Sequence, residues 1–166
     1  RRVLFRSRFI AYSTWKWFEL HRQTGGQPVY RYLYDHPRPP MVPEMGNAVP
    51  GLAGGVIRGA EAEANRPPPA QGAVHSAEIE YALGNLDTNP IYAWEADDYR
   101  VSETMQAYFA NFVKTRDPNG PGLPTWPAVN QGTAIQIMRL GVDSEAKAAP
   151  HRARYLLLDE FYTERG

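Results

Sequence analysis

From Pro37 to Gln71 the chain shows neither the 3.6-residue period of an amphipathic helix nor the alternation of a half-buried strand. Prolines at 37, 39, 40, 43, 50 and 67–69 alternate with glycines at 46, 51, 54, 55 and 59. A tract this long without structure of its own is uncommon inside a domain, and where it occurs it is either functional or disordered. Any fold for this chain must carry it as an excursion between two ordered runs. Only Gly59 to Asn65, where Ala and Glu dominate, is suited to a short helix.

The ordered runs are legible on both sides. Phe9 to Thr24 reads as a helix with Phe9, Tyr12, Trp15, Trp17 and Phe18 nearly all round it, the pattern of a buried helix, and Gly25-Gly26 stops it. Val29 to Asp35 is aromatic and β-branched, a strand with large residues on both faces, as in a covered sheet. After the excursion, Ser76 is expected to cap a short helix that Gly84 ends, with Glu78 in its first turn. Tyr99 to Thr115 is the clearest amphipathic helix, with Val101, Met105, Tyr108 and Phe112 on one face. Asp117 to Gly122 is a turn cluster, Ala134 to Leu140 a strand, and Arg152 to Arg165 a terminal helix presenting Tyr155, Leu158, Phe161 and Tyr162. The string Arg1 to Ser7 resembles the conceptual translation of a ligated sequencing adapter and is set aside from fold reasoning.

Several classes of function have nothing to rest on. Lys plus Arg and Asp plus Glu both number 18, so no net charge draws the chain toward nucleic acid or an anionic membrane. No stretch approaches the roughly 20 apolar residues of a membrane span. With no cysteine, disulfides and thiolate metal sites are excluded from this segment. No phosphate-binding glycine loop and no His-Glu-x-x-His is present. Of the four histidines, His21 lies within a helix, His36 ends a strand and His151 begins a helix, and all three read as structural. His75 stands apart. It lies in a loop immediately before a helix, where a rigid scaffold presents catalytic groups.

The segment Gly72-Ala-Val-His75-Ser-Ala-Glu78-Ile-Glu-Tyr-Ala-Leu-Gly84 resembles the stretch around the catalytic histidine of type-B carboxylesterases and cholinesterases. Asn111-Phe-Val-Lys-Thr-Arg-Asp-Pro-Asn119 with Trp126-Pro127 is similar to that family's N-F-x-x-T-G-D-P-N … W-P stretch. Pro28 to His36 is similar to the strand leading into the histidine loop. The resemblance covers nearly everything after residue 8. It implies an α/β fold, the late strands and packing helices of an α/β-hydrolase, with residues 8–166 forming the C-terminal part of a carboxylesterase domain and 37–71 an insert.

The chemistry it implies is carboxylic ester hydrolysis through an acyl-serine. A serine hydroxyl needs a base within hydrogen-bond reach, and an imidazole takes that proton and returns it to the departing alkoxide. A carboxylate on the other ring nitrogen fixes the tautomer. His75 is the implied base and then acid. Glu78 matches a buried acid behind the active site, against the plainer reading of a first-turn carboxylate. Glu80 has no matching role and is assigned to the solvent face. The triad order in this fold is Ser, then Asp or Glu, then His. The nucleophile and acid are therefore expected upstream of Val29, and none of the serines here lies in Gly-x-Ser-x-Gly. The implied partners are a small ester substrate and the N-terminal part of the same protein, with no metal or organic cofactor, and the segment alone is expected to be inactive. A non-catalytic cholinesterase-like adhesion or scaffold domain is the alternative. One departure stands out: Arg116 occupies a position where the family has Gly, which costs about 1 kcal/mol if the backbone there is left-handed.

Overall fold

A computed structural model describes residues 10–51, 55–64, 72–131 and 134–164. The string Arg1 to Ser7, Phe9 of the first expected helix and Pro67–Pro69 of the insert lie outside the described residues. The elements in chain order are α1 (Tyr12–Thr24), β1 (Tyr32–Tyr34), β2 (Val49–Pro50), β3 (Val56–Ile57) and α2 (Ala60–Ala64). They continue with α3 (Ile79–Leu83), α4 (Ala96–Thr115), β4 (Gln136–Leu140), β5 (Glu145–Ala148) and α5 (Arg152–Thr163). A three-stranded sheet takes the order β1-β4-β5. The Met138 N–H donates to the Arg31 carbonyl and the Asp35 N–H to the Leu140 carbonyl, so residue numbers rise together and β1 runs parallel to β4. The α/β expectation is met. Ile137, Met138 and Leu140 of β4 are the buried residues of its interior strand. β5 was not legible in the sequence, because Glu-Ala-Lys-Ala is a composition that strands avoid.

The chain divides into two compact units. One comprises the segments up to Tyr32, Thr125–Met138 and from Ala146 onward. Its centre is aromatic. Trp15 of α1 is 2% exposed and stacks on Tyr155 of α5 at 5.6 Å, and Tyr12 meets Tyr162 at 5.0 Å. Glu19, also buried, is paired by Arg152 and by Arg22. Burial opposes its charge, but the two guanidiniums outweigh that and hold its carboxyl below the usual range. The Tyr12 hydroxyl donates to Asp159, and burial with that carboxylate pushes its phenol up to about 12. α1 was expected to be buried all round. Within this unit it buries one stripe, while Trp17 is 74% exposed.

The other unit comprises Leu33–Pro124 and Arg139–Glu145. Here α3 packs on α4 through Tyr81, Val101, Met105 and Tyr108, all at most 1% exposed. α4 starts earlier than the apolar stripe suggests, because Glu95 and Asp98 form a reciprocal capping box. Phe112, last on the expected face, is 46% exposed, since the five-residue α3 cannot cover a 20-residue partner. Gly84 ends α3 as expected, at φ +65° with the Gln106 side chain so close that a Cβ would collide with it. Arg116 adopts φ 63°, the left-handed conformation anticipated from the Gly it replaces.

The described part of the insert has structure in short pieces. β2 and β3 pair antiparallel, Val49 with Ile57, and α2 forms where Ala and Glu dominate. Val49 and Ala62 are buried. The insert's start is pinned to the segment after α3 by Val42 N–H to the Ile91 carbonyl and Ala93 N–H to the Pro40 carbonyl. Pieces of two to five residues are too short to show a period, which is why none was visible.

Candidate active site

His75 sits in a turn before α3, and its side chain is exposed. The Ala77 N–H donates to the Val74 carbonyl at 3.1 Å, closing a four-residue turn with His75 and Ser76 at its centre. Ser76 has φ 61°, the positive value a type II turn requires at its third residue. A non-glycine residue there is strained, so the turn persists because its surroundings over-determine it. Ser76 is therefore not the side-chain cap expected of it: α3 has no side-chain cap, and its helical hydrogen bonds begin two residues later. Among the described residues the His75 ring has no hydrogen-bond partner, while the backbone beneath it is held firmly.

What holds the backbone is a residue the sequence did not single out. Arg38, between Pro37 and Pro39, donates from Nη2 to the Ser76 carbonyl at 3.1 Å and to Glu80 Oε2 at 2.6 Å. The Asn89 side-chain amide donates to the other oxygen of Glu80 at 3.2 Å, and the guanidinium stands 5.2 Å from the centre of the Tyr92 ring. Burial works to strip Arg38 of its proton, but the Glu80 carboxylate beside it more than offsets that and raises its pKa. The assignment of Glu80 to the solvent face is thereby corrected. Its side chain is 17% exposed, because it turns back onto Arg38 rather than outward from the helix. A cavity of about 310 Å³ opens here, lined by Arg38, His75, Ser76, Glu80, Asn89 and Tyr92, with Ile79, Ile91 and Gly51 and Gly55 of the insert.

Glu78 is half-buried at the start of α3 and has no side-chain hydrogen bond among the described residues. It acts electrostatically on Tyr34, whose phenol is pushed up by burial above all, with the Asp98 and Glu78 carboxylates adding to it.

His36 is of the opposite kind. Its Nε2 lies 2.8 Å from Asp98 Oδ1, the Tyr81 hydroxyl donates to the same oxygen at 2.6 Å, and the Glu95 N–H donates to Oδ2 at 2.8 Å. Asp98 is 2% exposed. A carboxylate can only accept, so the ring carries its proton on Nε2. Burial first, then the bond to Asp98, pushes the Tyr81 phenol well above its ordinary range. The structural role expected of His36 is what the geometry gives it. His21 lies in the last turn of α1, and His151 precedes α5 at φ 61°. Among the described residues no cluster of His, Asp and Glu is arranged to hold a metal ion.

The fold can be placed by its likeness to solved structures. A protein described as PNB esterase matches with a TM-score of 0.52 at 21% identity, over 79% of this chain and 21% of that one. An esterase from Clostridium hathewayi, described as hydrolysing aliphatic aromatic polyesters, matches with a TM-score of 0.56 at 18% identity, over 86% and 23% respectively. These are α/β-hydrolases, and the chain has the fold of part of one. The sequence narrows this further: the profile of the Carboxylesterase family matches residues 3–156, and the chain belongs to that family. Among curated relatives, carboxylesterase 5A of dog is 33% identical over 74% of this chain, and carboxylesterase 5A of cat is 31% identical over the same share. The chain spans 18% and 19% of the lengths of those two proteins.

Proposed function

We propose that this chain supplies the catalytic histidine of a serine ester hydrolase that cleaves carboxylic esters through an acyl-enzyme. The observation that carries the reading is the contrast within one turn: a bare, exposed imidazole at His75 on a backbone fixed by hydrogen bonds to Val74 and Ser76. A general base must keep a ring nitrogen open to the proton it will take, yet be held within hydrogen-bond reach of the nucleophile, about 3 Å, where a misplacement of about 1 Å costs much of the rate. His75 abstracts the proton of a serine hydroxyl and then delivers it to the alcohol leaving group. The serine, its oxyanion hole and the acid that orients the ring belong to sequence upstream of β1. The substrate is a small-molecule carboxylic ester, and Glu78, three residues after His75, is the half-buried acid that supports the site.

The test uses the full-length protein and a short-chain aryl ester. His75→Ala is expected to abolish turnover with little change in melting temperature, and retained activity would remove the assignment. Glu78→Gln is expected to slow the reaction less severely. An unchanged rate there would leave Glu78 as a helix-dipole partner only.

A further inference from the structure

We infer that Arg38 and Glu80 are positioning residues for the reaction, a clamp that sets the direction of the His75 side chain by holding the carbonyl of Ser76. The inference rests on the reading of His75 as general base. Its own support is independent of that reading and lies in the backbone.

Ser76 is strained at φ 61°, and a strained residue relaxes unless something opposes it. Relaxation would rotate the peptide that joins His75 to Ser76 and swing the imidazole with it. Two bonds oppose this from the other side of the residue. The Ile79 N–H reaches the Ser76 carbonyl at 3.4 Å, a weak contact, and Arg38 Nη2 reaches it at 3.1 Å with a full charge behind it. Arg38 is itself fixed by Glu80, and Glu80 by Asn89, so the guanidinium has little freedom to follow the carbonyl.

Burying this pair is not an economical way to stabilise a fold. Its side chains are 18% and 17% exposed, and the Arg38 Nε is buried with no partner. A buried ion pair is commonly replaced by apolar residues without loss of stability, so its presence argues for geometry rather than for binding energy. The single carbonyl it addresses belongs to the residue adjoining the imidazole. Both clamp residues also line the cavity that His75 lines.

The experiment compares Arg38→Met, Arg38→Lys and Glu80→Gln with His75→Ala in the full-length enzyme, measuring kcat and KM for an aryl ester and the melting temperature of each. For Arg38→Met we expect kcat to fall about 10- to 100-fold, the scale of a misplaced catalytic group. KM should stay within about twofold. Arg38→Lys should recover part of the loss, because its ammonium can still donate to the Ser76 carbonyl while lacking the planar fork that fixes arginine against Glu80 at the same time. Undiminished kcat in a folded Arg38→Met enzyme overturns the clamp, as does a Lys variant no better than Met. If Arg38→Met does not fold, Glu80→Gln decides: a several-fold drop in kcat at constant KM supports the clamp, and an unchanged kcat overturns it. His75→Ala separates the two levels. An inactive His75→Ala beside a fully active Arg38→Met rejects the clamp alone, whereas an active His75→Ala rejects the base and the clamp together.

Discussion

Two histidines stand at the two ends of the insert, and their surroundings could hardly differ more. His36, at the end of β1, gives its Nε2–H to a buried carboxylate that also accepts from Tyr81 and from the start of α4. His75, in the turn before α3, offers its ring to solvent while its backbone is tied down. The lesson concerns where the constraint is applied. A histidine whose ring gives its proton to a buried carboxylate within its own unit is committed there; one held through its peptide keeps its ring open to partners that the rest of the enzyme brings.

That contrast can be broken by exchanging alanine at each position in the full-length protein. His75→Ala should lower kcat by roughly a thousandfold or more with an unchanged melting curve, as loss of a general base does. His36→Ala should do the reverse, costing about 2 kcal/mol in denaturant unfolding while the folded fraction keeps its turnover. If both variants lose activity equally at equal stability, the distinction fails. The anchor of the locked site should matter more for folding than the ring it holds. Asp98→Ala leaves the Tyr81 hydroxyl, the His36 N–H and the Glu95 N–H without an acceptor, and about 3 kcal/mol of stability should go with it.

Glu19 extends the idea of the buried, paired carboxylate to the aromatic unit. Its carboxyl is held below the usual value of 4.5 by Arg152 and Arg22 against the opposing effect of burial, so the unfolded chain takes up this proton at a higher pH than the folded one. The contribution is therefore complete above about pH 4.5 and is lost as the pH falls through the lower, folded value. Melting temperature should drop across that acid window, and Glu19→Gln should flatten the drop. The smallest effect is expected at Arg116, which shares a left-handed backbone with Ser76 but ends α4 instead of adjoining His75. Arg116→Gly should stabilise by about 1 kcal/mol in denaturant titration and leave turnover untouched. A change in rate there would tie the end of α4 to the chemistry.

The sequence disclosed the long-period features and hid the short-range ones. Apolar spacing located α4, composition located β1 and β4, and glycine located the end of α3, because each is a regularity sustained over several residues or a backbone state few residues tolerate. The Glu95–Asp98 capping box, β5 and the β2–β3 ladder were missed: two of them are too short to show periodicity, and the third has unfavourable strand composition. At the site, the loop position of His75 was legible. The partners of its backbone were not, since Arg38 lies 42 residues from Glu80 and only the folding of the insert brings them together. Glu80 shows what is lost by reading a helix face from one helix alone: the insert brings Arg38 back to it with the opposite charge.

Asp98 serves three masters at once. One of its oxygens closes the first turn of α4, and the other gathers the end of β1 and the middle of α3. These segments therefore cannot open separately. Amide protons in the opening turn of α4 and those beside Tyr34 should exchange with solvent in a single shared event, and a protein assembled around such a knot loses the neighbourhood of its locked histidine all together or not at all.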